Sequence, residues 1–245
     1  MNDKPNSGQI IGVKTPKDKE KERRYPLRHV VKFSFYITYV FLMTTATITI
    51  IEALRTPSQY IRNILNLETA ISVVAGYFYS VFIGQLDEFN KNDIPIDWRD
   101  ISSTRYVDWS ITTPMMLLSL CGALAYNLKI PLKWTIMITV VVLNYFMLCA
   151  GYLGETGSID RTTAMVIGFV ALFSMLYIIF SIFIYPHNNM PNNILFGVYA
   201  FVWSMYGVVY MFSEEYKNII ANVLDLIAKC FVGLGLWLYY CKLMQ

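Results

Sequence analysis

The chain has 245 residues, of which 56% are apolar and 16% aromatic, and its formal net charge at pH 7 is +3. Soluble globular domains average about 45–50% apolar residues, so this composition excludes an ordinary water-soluble domain. The polar N-terminal stretch has no apolar segment ahead of its basic cluster and therefore does not resemble a cleavable signal peptide. We expect a polar, basic tail over residues 1–28 and one membrane domain over residues 29–245.

Seven apolar stretches follow the tail, and each reaches the roughly 20 residues that a helix needs to span the hydrocarbon core. None shows the alternating pattern of a membrane β-barrel strand. The sequence therefore predicts an all-α membrane protein, a seven-transmembrane helix bundle in a lipid bilayer, with its longest loop over residues 84–100. The stretches cover roughly residues 30–53, 60–83, 101–124, 133–153, 163–185, 193–212 and 218–241.

The first two spans each carry one glutamate. Glu52 ends the first span, where it is most simply an interfacial residue, whereas Glu68 lies about two turns inside the second. Ionisable residues within a membrane span are rare and often belong to a transport path. Two interpretations of Glu68 remain open, namely a proton relay and a hydrogen bond to a neighbouring helix.

The third span contains an unusual set of polar residues: Arg105, Asp108, Thr112 and Ser119. Asp108 and Thr112 are one turn apart and share a helix face. Ser119 lies about 16 Å along the axis from Asp108 at 1.5 Å per residue. The span therefore carries charge and hydrogen-bonding groups through most of its depth.

The seventh span holds Asp225 and Lys229, one helical turn apart. A charge near the membrane centre costs at least ~2.5–3.5 kcal/mol on insertion scales, so a function or a charged partner has to account for both residues. A buried lysine loses its proton readily and is suited to forming an imine with an aldehyde or ketone. A structural ion pair between helices explains the two charges equally well at this point.

The cysteines and histidines do not indicate a metal site. All four cysteines fall inside predicted spans without paired spacing, and the two histidines lack a ligand pattern. We therefore expect no metal. We also expect no enzymatic activity and no nucleic-acid partner.

Loop charges predict the orientation of the chain, because positive residues collect on the cytoplasmic side. Loops 1–2, 3–4 and 5–6 with the C-terminus are basic, and loops 2–3, 4–5 and 6–7 are net acidic. These loops place the N-terminus outside and the C-terminus in the cytoplasm. The basic N-terminal tail argues the opposite, but the six loops agree with one another.

These motifs carry a resemblance. Arg-Tyr-x-Asp-Trp-x-x-Thr-Thr-Pro in the third span and Asp-x-x-x-Lys in the seventh resemble the microbial (type 1) rhodopsin family over about residues 30–242. The triplet of Asp108, Thr112 and Ser119 is similar to the DTS-motif rhodopsins of giant viruses. Gly-Tyr-Leu-Gly-Glu, ending at Glu155, is similar to proton-pumping proteobacterial members.

The resemblance implies that Lys229 binds all-trans retinal as a protonated Schiff base. It implies Asp108 as primary counterion and proton acceptor, Asp225 as second counterion and Arg105 as a gating cation on the outward side. It also implies a homo-oligomer. The retinal-lining residues that it implies are Trp109, Thr113, Tyr199, Trp203 and, where the family usually has tryptophan, Phe196.

The resemblance leaves three functions open. An outward proton pump is favoured by Asp108, since chloride-pumping relatives carry a neutral residue there, and Glu68 is its candidate cytoplasmic proton donor. Ser119 stands where efficient pumps place a carboxylate, and a serine hydroxyl does not supply a proton at useful pH. A light-gated cation channel, lined by Glu52 and Glu68, is the alternative, and a sensor with a separate transducer is the third.

Overall fold

The computed structural model describes residues 27–92 and 94–243, with side chains described up to Cys241. Residues 1–26 of the predicted N-terminal tail lie outside the described residues.

Within the described residues, seven helices are long and apolar enough to cross a membrane, which confirms the predicted bundle. Consecutive helices pack against each other, and α1 also packs on α7, so the helices form a closed ring. They are α1 Arg28–Arg55, α2 Gln59–Lys91, α3 Trp98–Leu128, α4 Trp134–Glu155, α5 Arg161–Ile184, α6 Met190–Val209 and α7 Glu214–Cys241.

Helix α2 is longer than predicted, and the loop expected over residues 84–100 shortens to the residues between Lys91 and Trp98. The apolar spacing of Phe82, Leu86 and Phe89 continues the inward face of the helix, and Leu86 is buried. The Asp97 carboxylate then accepts from two backbone amides and caps the start of α3. The expectation was wrong because a helix that packs on a neighbour does not end where the hydrocarbon ends.

The ends of the helices define two faces of the molecule. We call the side holding the α2–α3, α4–α5 and α6–α7 connections the acidic face, and the opposite side the basic face. Chain direction alternates from helix to helix. The odd-numbered helices run from the acidic face to the basic face, and the even-numbered helices run the other way.

Helices α3 and α7 are the interior helices of the bundle. In their most apolar windows 61% and 56% of residues are buried, against 28% for α4 and α6. Part of α7, Leu226–Phe231, is wound as a π-helix around Lys229. Such local widening of a helix is frequent at functional sites. The two helices that carry intramembrane charge are therefore also the ones screened from lipid.

Close helix packing near the acidic face generates one prediction. A Cβ at Gly154 would lie 2.5 Å from the Cβ of Ala164 and 2.1 Å from the hydroxyl of Tyr210. We expect Gly154→Ala to destabilise the bundle by about 1–3 kcal/mol through overpacking. Thermal unfolding in detergent tests this, with Gly197→Ala as the control, because no heavy atom lies within 4 Å of its added Cβ. Equal midpoints for the two variants would contradict the prediction.

Candidate functional site

The centre of the bundle holds a lysine between two carboxylates. The Nζ of Lys229 lies 2.8 Å from Oδ2 of Asp108 and 3.6 Å from Oδ2 of Asp225. The side chains of all three are at most 1% exposed. Lys229 on α7 therefore forms an ion pair with Asp108 on α3. Asp225 and Lys229, one turn apart on α7, also lie within ion-pair distance, as their spacing predicts.

The two carboxylates differ in how they are held. Asp225 accepts hydrogen bonds from the hydroxyls of Tyr206 at 2.5 Å and Tyr79 at 2.8 Å. The Oδ1 of Asp108 has no hydrogen-bond partner among the described residues. Hydrogen bonds to a carboxylate favour its ionised form. Asp225 is thus the better stabilised anion, and Asp108 keeps one oxygen available.

Arg105 lies between this centre and the acidic face. Its NH2 donates to the amide oxygens of Asn222 at 2.8 Å and Asn218 at 3.0 Å, and its NH1 lies 3.7 Å from Asp225. Its carbon Cζ also lies 5.0–5.8 Å from three aromatic ring centroids, those of Phe35, Phe82 and Trp109. The guanidinium is therefore fixed on one side by hydrogen bonds and on the other by ring faces.

A largely apolar cavity adjoins the lysine. Its lining on α7 begins near the acidic face at Lys217 and ends at Lys229. Aromatic rings and small residues from α3 to α6 form the rest, including Trp109, Gly151 and Trp203. The cavity is therefore elongated and largely apolar, with the Lys229 amine at its inner end. Its other end, which holds Glu155 and Lys217, lies near the acidic face.

The structure separates the predicted lining residues into two groups. Trp109, Thr113 and Trp203 line the cavity. Tyr199 is buried one turn from Trp203, with ring centroids 6.1 Å apart, and Phe196 packs on Phe180 at 5.8 Å. Tyr199 and Phe196 are not among the residues that line the cavity.

On the basic-face side of the centre, Glu68 is 1% exposed and accepts a short hydrogen bond from the hydroxyl of Ser119. This contact joins α2 to α3, and it brings together two residues that were identified separately in the sequence. Thr112, by contrast, donates to the backbone oxygen of Asp108 at 2.9 Å. Glu52 pairs with Arg55 at 3.3 Å at the end of α1, as an interfacial residue does.

A layer of tyrosines and asparagines lies between Glu68 and the basic face. Tyr60 stacks on Tyr126 at 4.6 Å, and Tyr240 packs edge-on against Tyr126. Asn127 donates to Asn192 at 2.7 Å and accepts from Tyr240 at 3.0 Å. These contacts connect α2, α3, α6 and α7 and cover the glutamate.

Four charged residues form an ion-pair network at the acidic face, which we call the outer quartet: Glu155, Arg161, Glu214 and Lys217. Lys217 lies 2.8 Å from Glu155 and 2.7 Å from Glu214, and Arg161 lies 3.1 Å from Glu214. Glu155 is only 8% exposed. Glu155 and Lys217 also line the cavity, so the quartet closes its outer end.

Tyr210 adjoins this quartet just beyond the end of α6. Burial, with the Glu155 carboxylate nearby, raises the pKa of Tyr210 to about 12. Its hydroxyl therefore stays protonated at neutral pH and donates to the backbone oxygen of Gly151 at 3.0 Å. The tyrosine thereby ties α6 to α4 beside the outer quartet.

Sequence reasoning missed the residues that hold the charges in place. Tyr79 and Tyr206 are unremarkable in a chain with 18 tyrosines. Asn218 and Asn222 could have been found, because they lie seven and three residues before Asp225 and so share its helix face. In the sequence, the members of the outer quartet count only towards the loop charges, apart from Glu155, which ends the Gly-Tyr-Leu-Gly-Glu motif, and only the fold brings the four together.

Comparison with known proteins gives a consistent result. The sequence matches the family described as bacteriorhodopsin-like protein over residues 29–243. The crystal structure of viral rhodopsin OLPVRII is 43% identical, with a TM-score of 0.81, and the match covers 88% of this chain and 100% of that one. The proton pumping rhodopsin AR2 from the marine alga Acetabularia acetabulum shares the fold, with a TM-score of 0.71 at 18% identity over 87% of this chain and 96% of that one.

A green-light absorbing proteorhodopsin from Gamma-proteobacterium EBAC31A08 is 26% identical over 148 residues. That match covers 54% of this chain and 59% of the relative, so the chain spans little more than half the length of the curated protein it matches. The family match, in contrast, takes in all seven helices. The chain is therefore a member of the bacteriorhodopsin-like family of microbial rhodopsins.

Proposed function

We propose that this chain is a light-driven outward proton pump whose retinal is bound to Lys229. The observation that carries the proposal is the position of the Lys229 amine, buried between Asp108 and Asp225 at the inner end of the aromatic cavity. Members of the family bind retinal. The name of one structural neighbour states that it is proton pumping.

The residues present fit retinal, an elongated apolar aldehyde. Among the described residues, two lysines line the cavity: Lys229 at its inner end and Lys217, which is taken up by the outer quartet. Trp109, Trp203 and Thr113 would hold the polyene between α3 and α6. When bound, retinal supplies absorption of visible light and a change of shape that alters the surroundings of the Lys229 nitrogen.

Asp108 is the residue that accepts the proton from the Lys229 nitrogen. It is the nearer carboxylate, at 2.8 Å, and its Oδ1 is free of hydrogen bonds from the described residues. Asp225 stays ionised because Tyr79 and Tyr206 donate to it and Arg105 lies 3.7 Å away. One carboxylate thus exchanges the proton while the other maintains the charge balance of the site.

The proton leaves towards the acidic face. Arg105, Asn218 and Asn222 line the way from Asp108, and the cavity continues past them to Glu155 and Lys217. On the other side of Lys229 the cavity lining on α7 stops, and the polar pair described there, Glu68 with Ser119, does not line the cavity. The asymmetry favours one-way transport over a continuous pore.

Glu68 supplies the replacement proton. It is the buried carboxyl group on the basic-face side of Lys229, and Ser119 donates a hydrogen bond to it. No cation among the described residues pairs with Glu68, and burial of an unpaired carboxyl group favours its neutral form, which is the form that can give up a proton. Glu68 then serves both as a proton relay and as a hydrogen-bond partner of a neighbouring helix, because the bond from Ser119 on α3 fixes its position.

The direction of transport follows from the loop charges. The basic face carries Arg55, Arg62, Lys129 and Lys133 and is placed in the cytoplasm by the preference of positive loops for that side. The acidic face and the N-terminus then lie outside. A proton that moves from Glu68 through Lys229 to Asp108 and the outer quartet travels outward.

Voltage clamp of retinal-supplied cells tests pump against channel. With equal ion concentrations on both sides we expect a light-induced outward current that persists through zero voltage. A current that reverses at the cation equilibrium potential would overturn the pump and favour a pore lined by Glu52 and Glu68. Absence of current in a protein that still bleaches would favour a sensor.

Removal of the lysine tests the cofactor. We expect Lys229→Ala to lose the visible absorption band completely, because the other lysine that the described lining contains, Lys217, is paired at the outer end of the cavity. The control is Lys32→Ala, whose lysine pairs with Asp87 away from the site and whose band should be unchanged. A visible band that persists in purified Lys229→Ala would refute the assignment.

Neutralising the acceptor tests its role. We expect Asp108→Asn to shift the visible band to the red and to abolish transport, because the cation on Lys229 loses its nearest anion. Asp100→Asn, at the exposed start of α3, should change neither property. Absorption spectra and light-driven pH changes in vesicles measure both, and transport at the wild-type rate in Asp108→Asn would move the acceptor role elsewhere.

A further inference from the structure

One side chain on α5, that of Phe169, belongs to two hollows of the molecule. On one side it lines the cavity that ends at Lys229, next to Gly168 and Leu172 of the same helix. On the other side it lines an open groove on the outer surface of α5, which we call the lipid-facing groove. The groove is formed by Val166, Phe169, Val170, Phe173, Ser174 and Tyr177. The Phe169 ring therefore lies between the cavity and the groove.

The groove opens towards the hydrocarbon of the bilayer. Three of its apolar side chains, Val166, Val170 and Phe173, are 53%, 63% and 55% exposed on a helix that is long and apolar enough to span a membrane. Phe173 is also the stacking partner of Phe169, with ring centroids 5.4 Å apart. Lipid tails are as apolar as a side chain such as leucine. The Phe169 ring can therefore turn from the wall into the groove without exposing apolar surface to water.

Helix α6 presents a glycine to this ring. A Cβ at Gly207 would lie 2.5 Å from Cζ and 2.9 Å from Cε2 of Phe169. Gly207 also lines the cavity, one turn along α6 from Trp203. Because α6 has no side chain at this position, the Phe169 ring fills the space between the two helices there. An outward movement of the ring would open the wall of the cavity at that point.

Helices α5 and α6 are tied together near their ends. At the acidic face Arg161 donates to the backbone oxygen of Tyr210 at 3.1 Å, and nearer the basic face Phe180 packs on Phe196 with ring centroids 5.8 Å apart. Among the described residues, no hydrogen bond joins α5 to α6 between these two points. Phe169 lies within this stretch, so the ring can move without breaking a hydrogen bond between the helices.

The two ends of the cavity, in contrast, are closed by ion pairs. Towards the acidic face Lys217 lies 2.8 Å from Glu155, and an apolar molecule that entered there would have to separate these charges. At the inner end the lining on α7 stops at Lys229, which is itself paired with Asp108. The phenyl ring of Phe169 carries no polar atom. The wall between α5 and α6 is therefore the way into the cavity that breaks no polar contact.

We propose that retinal enters the cavity sideways from the bilayer, between α5 and α6, as the Phe169 ring turns into the lipid-facing groove. The inference rests on the proposed function, in which retinal is bound to Lys229. Retinal is an apolar polyene that leaves water for hydrocarbon, so it reaches the protein from the bilayer. Lys229 lies on α7, across the cavity from α5, so the aldehyde end enters first. The Phe169 ring then turns back against Gly207 and closes the wall.

The test is the rate at which retinal-free protein in lipid nanodiscs takes up all-trans retinal delivered from vesicles. Entry is followed by quenching of tryptophan fluorescence, because Trp109 and Trp203 line the cavity, and binding is followed by growth of the visible band. A Trp109→Phe/Trp203→Phe variant supplies the blank for retinal that stays in the lipid. We expect Phe169→Ala to speed the quenching by roughly threefold or more, since a side chain that gates passage sets its rate. Gly207→Ala should also speed it, because the added Cβ displaces the ring.

Phe173→Ala is the matched control. It removes the same side chain from the lipid-facing groove, but Phe173 is not among the residues that line the cavity, so entry should keep the wild-type rate. An unchanged quenching rate in Phe169→Ala would overturn the side entrance, and so would equal acceleration in Phe173→Ala. Where Phe169→Ala yields no folded protein, Gly207→Ala decides in the same way. Faster entry in Lys217→Met, with an unchanged rate in Phe169→Ala, would place the entrance at the acidic face.

Failure of the proposed function gives different results. If retinal is not bound to Lys229, the visible band persists in Lys229→Ala, and the quenching rates of the Phe169 variant and its control are still compared. If the chain does not pump, the light-induced current reverses or is absent, and the uptake rates are unaffected. The side entrance and the proposed function can therefore fail independently.

Discussion

The interaction on which the rest of the structure depends is the burial of Lys229 between Asp108 and Asp225. A single uncompensated charge at this depth is costly, and removing one partner of a buried pair typically costs about 3–5 kcal/mol. Arg105 brings the centre to two cations and two anions, which sum to zero. Each of α3 and α7 carries one cation and one anion, and the facing of the two helices adds the ion pair between Lys229 and Asp108 at 2.8 Å.

The charge balance does not distinguish Asp108 from Asp225, but the hydrogen bonds from two tyrosines do. Tyr79 on α2 and Tyr206 on α6 both donate to Asp225, so this anion is held from two further helices. Asp108 receives only the lysine among the described residues. The same two hydroxyls therefore stabilise the fold and leave one carboxylate free to change its protonation state.

The two halves of the bundle differ in polarity, and this difference gives the molecule its direction. Towards the acidic face, Arg105 is followed by two asparagines and then by the outer quartet beside the cavity. Towards the basic face, Glu68 is buried beneath a layer of packed tyrosines. The cavity extends towards the acidic face, whereas packed side chains cover Glu68, so exchange with solvent is easier on the acidic side.

The sequence by itself determined the seven spans, the charged pair on α7 and the polar face of α3, because hydrophobic length and one-turn spacing are local properties of the chain. Only the tertiary structure decided which groups meet across helices. The contact of Glu68 with Ser119, the donors to Asp225 and the pairing of Glu155 with Lys217 join residues 19 to 146 positions apart. Such contacts depend on the rotation of each helix in the ring, which packing sets and local sequence does not encode.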